Sequence, residues 1–309
     1  VCCSFGDASS NHSTACGAFN TASLADYQRL PCPILFICED NGLGISVRTP
    51  CGWVAQRFNQ HPNIAYFHAN GLDIASVFEA TSQPAMLHLS LVRLLGHAGS
   101  DVEQLYRSKS EIEDTEAQDP VLSTARWLIE GGWLSSQDCI SIYEDARARI
   151  QGLGHEAMQR AKITTADEVM KPLAPHDPII VEAEAQRPGS EDDRRAFFGK
   201  LPEEDRPRHL SMMLNRALGD LLIKYPELVI FGEDVAKKGG VYHVTADLQK
   251  KAGVGRVFNT PLDETAILGL AMGAAQQGMI PIPEIQYLAY LHNAIDQIRG
   301  EACSLSFFI

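Results

Sequence analysis

Val1-Cys2-Cys3-Ser4-Phe5-Gly6-Asp7-Ala8-Ser9 and Ile34-Leu35-Phe36-Ile37-Cys38-Glu39-Asp40-Asn41-Gly42 share one layout, a short apolar run that gives way to small, acidic and amide residues. A continuous apolar run of this length reads as a strand buried on both faces, as in a parallel sheet. The helical pattern from Ala15 to Tyr27 lies between the two and suits the crossover that parallel strands require. Ala65-Tyr66-Phe67-His68 and Ala85-Met86-Leu87-His88-Leu89 continue the series, joined by a helix from Asp73 to about Thr81 that is near the minimum crossover length. Strands alternating with helices predict a doubly wound α/β domain.

Further along, residues 119–162 are helical in pattern, with Leu122, Ala125, Leu128 and Ile129 on one face. Residues 163–208 change character. Pro172, Pro175, Pro178, Pro188, Pro202 and Pro207, with the charged run Ser190-Glu191-Asp192-Asp193-Arg194-Arg195, predict an exposed linker. A second α/β domain follows over residues 209–309. It opens with an amphipathic helix carrying Leu210, Met213, Leu214, Ala217, Leu218, Leu221 and Leu222 on one stripe. Leu228–Phe231 is its first strand, a helix is expected over 243–252, a buried helix over Ala266–Gln277 and a strand over Ile280–Ile285. The expected organisation is therefore a domain over 1–162, a linker over 163–208 and a domain over 209–309.

The 309 residues are 45% apolar, enough for a large buried core, and carry a net charge of −13. That charge gives no footprint for nucleic acid or for an anionic membrane. The least charged stretch, Ala266–Ile282, is too short and too rich in Gly and Ala for a membrane span. Eight cysteines show no Cys-x-x-Cys pair and no zinc-ligand spacing, so buried reduced thiols in a reducing compartment are expected. Both chain ends are expected to cut through folded structure, since Val1 opens inside a strand and the chain stops at Phe307-Phe308-Ile309.

Open parallel sheets place ligands outside the carboxyl ends of their strands. Asp7 and Asn41 both stand at such ends, thirty-four residues apart, a separation that suits one complete crossover. A carboxylate, an amide carbonyl and a backbone carbonyl form a hard-oxygen set suited to magnesium. By themselves Asp7 and Asn41 also read as ordinary turn residues, because Gly-Asp and Asn-Gly are common turn chemistry.

The quoted motifs carry a more specific signal. Gly6-Asp7-Ala8, with Glu39-Asp40-Asn41-Gly42 and Ile45-Ser46, resembles the thiamine-diphosphate motif in the alpha half of the decarboxylating first component of 2-oxoacid dehydrogenase complexes, the branched-chain and pyruvate enzymes among them. The resemblance implies that Asp7, Asn41 and the Leu43 carbonyl bind Mg2+ and that Gly6 and Ala8 line the diphosphate. Ala8 stands where that family usually has Gly. Arg93-Leu94-Leu95-Gly96-His97-Ala98-Gly99-Ser100-Asp101 resembles the same family's active-site loop, which assigns Arg93 and His97 to the diphosphate and the reacting centre. Ala98 occupies the place where mammalian members carry a regulatory phosphorylation serine.

Val229-Ile230-Phe231-Gly232-Glu233-Asp234-Val235, Arg256–Glu264 and Glu284-Ile285-Gln286-Tyr287 resemble, in order, the beta subunit of the same enzymes. The resemblance implies a fused alpha-beta form with Glu264 at the cofactor's pyrimidine nitrogen, Tyr290 against its ring and Leu262 beside it. Glu264 and His97 are then the candidate catalytic residues. It further implies a 2-oxoacid substrate, a lipoylated acyltransferase partner, a homodimer and a bacterial cytoplasmic or other reducing location, the mitochondrial matrix included. The alternatives are a transketolase-like carbon–carbon transferase and a noncatalytic remnant that binds partners.

Overall fold

The computed structural model describes residues 1–77, 85–171 and 177–305, which fall into two compact units, one of residues 1–16 and 31–162, the other of residues 17–30 and 163–305. Both are α/β with parallel sheets, as the alternating pattern predicts.

In the first unit β1 (Cys2–Gly6) leads through α1 (Ser13–Tyr27) to β2 (Leu35–Asp40). A two-residue hairpin follows, β3 (Leu43–Gly44) and β4 (Val47–Arg48), then α2 (Trp53–Phe58), β5 (Ala65–Asn70) and β6 (Ala85–Ser90). The sheet order is β1-β2-β6-β5, with every neighbour pair parallel. Gly6, Asp40, Ser90 and Asn70 therefore end their strands along one edge. Phe36, Cys38, Met86, Val54 and Phe58 are all at most 2% exposed and form the core around β2 and β6. Strand β6, flanked on both sides, is buried over Ala85–His88, whereas edge strand β1 is exposed over Cys2–Ser4. The helix expected from Asp73 appears as a single 3-10 turn, Ile74–Val77, and its remainder lies outside the described residues.

Helices α3 (Lys109–Glu116), α4 (Pro120–Glu130) and α5 (Ser136–Met158) complete this unit. Each has a side-chain N-cap, Ser108, Asp119 or Ser135, that takes up an amide with no partner inside the helix. None of the three buries a residue, so the stripe of Leu122 and Ile129 stays at the surface.

The second unit contains α6 (Ala166–Met170), α7 (Pro178–Gln186) and α8 (Glu191–Phe198) within the stretch expected as a linker. Pro172 and Pro175 of that stretch lie outside the described residues. Its last part packs on α9 (Leu210–Lys224): a Cβ at Gly219 would meet the Phe198 ring at 2.8 Å, and Arg194 bridges Asp220 and Glu203 at 2.6 and 2.8 Å. The stripe on α9 is only half used. Leu218, Leu221 and Leu222 join the core, while Leu210, Met213 and Leu214 are exposed.

Strands β7 (Leu228–Gly232), β8 (Val257–Asn259) and β9 (Ile280–Glu284) form a parallel sheet in the order β8-β7-β9. Leu228 and Ile230 pack with Leu222, Leu248 and Val257, and the alternate residues Val229 and Phe231 pack with Ile267 and Ala271. Each face of β7 thus has its own core, and truncating one such side chain costs about 2–5 kcal/mol. Helix α11 spans Glu264–Gln276. The helix expected over 243–252 is shortened to α10 (Leu248–Ala252), because His243 and Asp247 adopt left-handed φ angles of 59° and 61° that break a right-handed helix. Within this unit Gln28 Nε2 donates to the Asn259 carbonyl at 3.0 Å, so the chain from 17 to 30 is tied to the end of β8 as well as joining β1 to β2.

None of the eight cysteines forms a disulfide, but Cys38 alone is buried. The expectation of buried thiols fails for Cys2 and Cys3 because they sit on an edge strand. No helix among the described residues is long and apolar enough to cross a membrane.

Candidate functional site

At the carboxyl edge of the first sheet, Asp7 follows β1 and is 2% exposed. Its Oδ2 accepts a hydrogen bond from the Thr49 hydroxyl at 2.5 Å, and Ser10 Oγ donates to its carbonyl at 2.6 Å. The Ser10 carbonyl in turn accepts from Arg57 Nη1 at 3.0 Å, tying this turn to α2. The Asn41 turn stands at the end of β2, where Asn41 Oδ1 accepts the Leu43 amide at 3.1 Å and Asp40 Oδ1 the Gly42 amide at 3.0 Å. These are Asx turns, in which a short side chain stands in for a backbone acceptor. The two turns approach closely: a Cβ at Gly44 would lie 2.8 Å from the Ala8 Cβ. Asp7 and the segment that bears Asn41 and Leu43 are thus brought together, with Gly6 half-buried at the end of β1.

Arg93 serves the same region. Its Nη1 donates to the Ile45 carbonyl at 2.6 Å, and Nη2 reaches the Tyr106 hydroxyl at 2.6 Å and Glu103 at 3.1 Å. Glu103 also bonds Arg107 at 2.9 Å; burial pulls its carboxyl up, but the two guanidinium groups outweigh that and hold it below the usual range. Asp101 caps the loop, taking the His97 amide and the Tyr106 hydroxyl, both at 2.7 Å, and these bonds hold its carboxyl low. The His97 side chain is exposed at the tip.

A diphosphate with magnesium fits this chemistry. Arg93 Nε is buried and has no hydrogen-bond partner among the described residues, and the buried Asp7 carboxylate is held at Oδ2 by Thr49. Thus a donor without a partner and a buried carboxylate stand in this neighbourhood. Cys38, on β2, is pushed up to about 12 by burial and then by Asp40, Asp7 and Glu39, so it stays a thiol.

The second sheet presents a different set. Glu264 is the first residue of α11, where the Asp263 side chain caps the helix by accepting the Ala266 amide at 3.1 Å and the macrodipole favours a carboxylate. Its Oε2 accepts from Asn293 Nδ2 at 3.3 Å, and it is half-buried. Leu262 is 85% exposed and Tyr290 45% exposed, with the Tyr290 ring edge-on to Tyr287 at 5.7 Å.

Two further carboxylates, which the motif reading passed over as site residues, stand close by. Glu233 ends β7 at 7% exposure, and burial, then Glu264, Asp234 and Asp263, raise its pKa. Glu284 ends β9, paired in register with Gly232; burial, then Glu233 and Asp234, raise it, and its Oε2 is buried without a partner. The sequence carries the signal for both, since Gly232-Glu233-Asp234 and Pro283-Glu284 each close an apolar strand.

The sequence profile of the dehydrogenase E1 component family matches residues 1–169, and that of the transketolase pyrimidine binding domain matches residues 207–306. With more than half of its residues covered by the first, the chain belongs to the dehydrogenase E1 component family. The chain is 40% identical over 116 residues to the 3-methyl-2-oxobutanoate dehydrogenase subunit beta of Mycobacterium tuberculosis (strain ATCC 25618 / H37Rv), covering 37% of this chain and 32% of that protein. It is 45% identical over 94 residues to the pyruvate dehydrogenase E1 component subunit beta of Staphylococcus aureus (strain N315), covering 30% of this chain and 29% of that one. The chain thus spans about a third of the length of the curated relatives it matches. A transketolase from Leishmania mexicana aligns over 96% of this chain and 44% of its own, at 13% identity and a TM-score of 0.47.

Proposed function

We propose that this chain is the thiamine-diphosphate-dependent part of a 2-oxoacid dehydrogenase, decarboxylating a branched-chain 2-oxoacid or pyruvate and passing the acyl group to a lipoylated acyltransferase. The observation that carries this reading is the edge of the first sheet, where buried Asp7, the Asn41–Leu43 turn and Arg93 with its orphaned Nε converge. Asp7, Asn41 and the Leu43 carbonyl would hold Mg2+, a hard cation that takes oxygen ligands. Gly6, Ala8 and Arg93 would hold the diphosphate, and His97, at the exposed tip of a loop braced by Asp101, would meet the substrate. Thiamine diphosphate, when bound, supplies a carbon acid that becomes the nucleophile toward the substrate ketone and an electron sink as carbon dioxide leaves.

Glu264 would hold a proton at the pyrimidine nitrogen, a general acid–base role that suits a half-buried carboxylate fixed by Asn293. Tyr290 and Leu262 would offer apolar surface to the ring. The exposed Trp127, Trp133, Ile140 and Tyr143 of the α4–α5 region support the reading that the chain works as a homodimer, since such apolar surface suits burial against a second copy. Eight cysteines that form no disulfide agree with a reducing compartment.

Calorimetry of the chain with thiamine diphosphate, with and without Mg2+, tests the assignment. Binding is expected only with the metal, and Asp7→Ala is expected to weaken it by about 100-fold, the scale of a lost ligand to a tightly held ion. Unchanged affinity in Asp7→Ala would remove the metal site. The rate of carbon dioxide release across 2-oxoisovalerate, pyruvate and 2-oxoglutarate, measured with the full-length parent, then ranks the substrates.

A further inference from the structure

His88 belongs to none of the motifs, yet it is 5% exposed and makes a polar contact at each ring nitrogen. It sits on β6, the strand that separates β2 from β5. Its Nε2 lies 2.8 Å from Asp40 Oδ2 at the end of β2, and its Nδ1 lies 2.7 Å from the Tyr66 hydroxyl on β5. A carboxylate only accepts, so Nε2 carries the proton. The Tyr66 phenol is pushed up by burial, then by Cys38 and Asp40, and so keeps its own proton to offer Nδ1. The His68 ring lies against His88 at 4.8 Å and is itself held by Ser90 at 2.9 Å.

The far end of this relay is the turn. Asp40 Oδ1 holds the Gly42 amide at 3.0 Å, Thr49 donates its amide to the Gly42 carbonyl at 3.0 Å, and Asn41 Oδ1 holds the Leu43 amide. The Asp40 side chain is 24% exposed, so it can rotate toward water if its second oxygen loses a donor. Rotation would release Gly42. Resting on the proposed function above, we propose that His88 is a positioning residue for the magnesium-binding turn: backed by Tyr66, it fixes the Asp40 carboxylate and thereby the places of Asn41 and the Leu43 carbonyl. A mispositioning of about 1 Å in such a site is enough to cost a large part of its function.

His88→Leu removes the donor to Asp40 and keeps an apolar body of similar reach, whereas His88→Gln keeps an N–H near the position of Nε2. Amide exchange at Gly42 and Leu43, followed by NMR without any cofactor, is expected to accelerate about tenfold in His88→Leu and to stay near the parental rate in His88→Gln, one lost hydrogen bond being worth about that factor. Titration with thiamine diphosphate at limiting Mg2+ is expected to show affinity about tenfold weaker in His88→Leu, recovered in His88→Gln. A parental chain that binds no thiamine diphosphate sinks the cofactor reading, while the exchange rates still decide the positioning of the turn. Parental exchange in His88→Leu, or equal acceleration in both variants, overturns the inference. If His88→Leu does not fold, Tyr66→Phe removes the support from the other side and is expected to give a smaller acceleration at the same two amides; parental exchange there overturns it equally.

Discussion

At the edge of the first sheet Asp7, Asp40 and Asp101 each have a donor: Asp7 has Thr49, Asp40 has Gly42 and His88, and Asp101 has His97 and Tyr106. At the edge of the second, Glu233 and Glu284 crowd one another at the ends of β7 and β9, and each has its pKa raised by burial and then by its acidic neighbours. The first edge holds its carboxylates with donors, and the second favours the neutral form of its carboxyl groups through burial and like charge. The difference follows from donors, because Thr49, Gly42, His88, His97 and Tyr106 serve the carboxylates of the first edge, whereas Glu284 Oε2 at the second is buried without a partner among the described residues.

The largest effect expected from this contrast is at Glu264. Glu264→Gln keeps the shape, so thiamine diphosphate should still bind, while exchange of its thiazolium proton for deuterium should slow by roughly 100-fold. NMR of the bound cofactor reads this directly, and exchange at the parental rate would take Glu264 out of the mechanism. A comparable loss of binding would blur the contrast between the two edges.

Next in size is Gly44→Ala. Its new Cβ would lie 2.8 Å from Ala8, and wedging the two turns apart should cost about 2 kcal/mol and weaken Mg2+-dependent binding. The double variant Ala8→Gly with Gly44→Ala should recover most of the loss. Additive losses in a double-mutant cycle would mean that the turns are not in contact.

The smallest effect concerns the second edge. A carboxylate whose folded pKa is raised contributes stability that is full below its unfolded value, near 4.5 for Glu, and is lost as pH rises through the folded value. Glu284→Gln should therefore flatten the fall in stability from pH 5 toward pH 8 and add about 1 kcal/mol at the upper end. Urea unfolding at several pH values measures this, and a slope equal to the parental one would show that Glu284 is ionised without penalty. The α7–α9 region should behave in the opposite sense. Glu184, drawn down to about 2 by Arg187 and then Tyr225, contributes stability present above its unfolded value and lost only in strong acid.

The amino-acid sequence by itself determined the strands of the first sheet to within one or two residues, because an uninterrupted apolar run bounded by Gly, Asp and Asn has few other uses. It also picked out Asp7, Asn41, Arg93 and Glu264, since their neighbours along the chain form recognisable motifs. Tertiary structure decided what each of them touches. Strand order places β6 between β2 and β5, so Tyr66 and Asp40 both meet His88 although they lie 22 and 48 residues from it along the chain. The register of Gly232 with Glu284 crowds two carboxylates that lie 51 residues apart. The left-handed His243 and Asp247 broke a helix that the sequence pattern favoured. In each case the cause is a pairing between distant segments, and such pairings depend on which strands become neighbours, which no local window of residues contains.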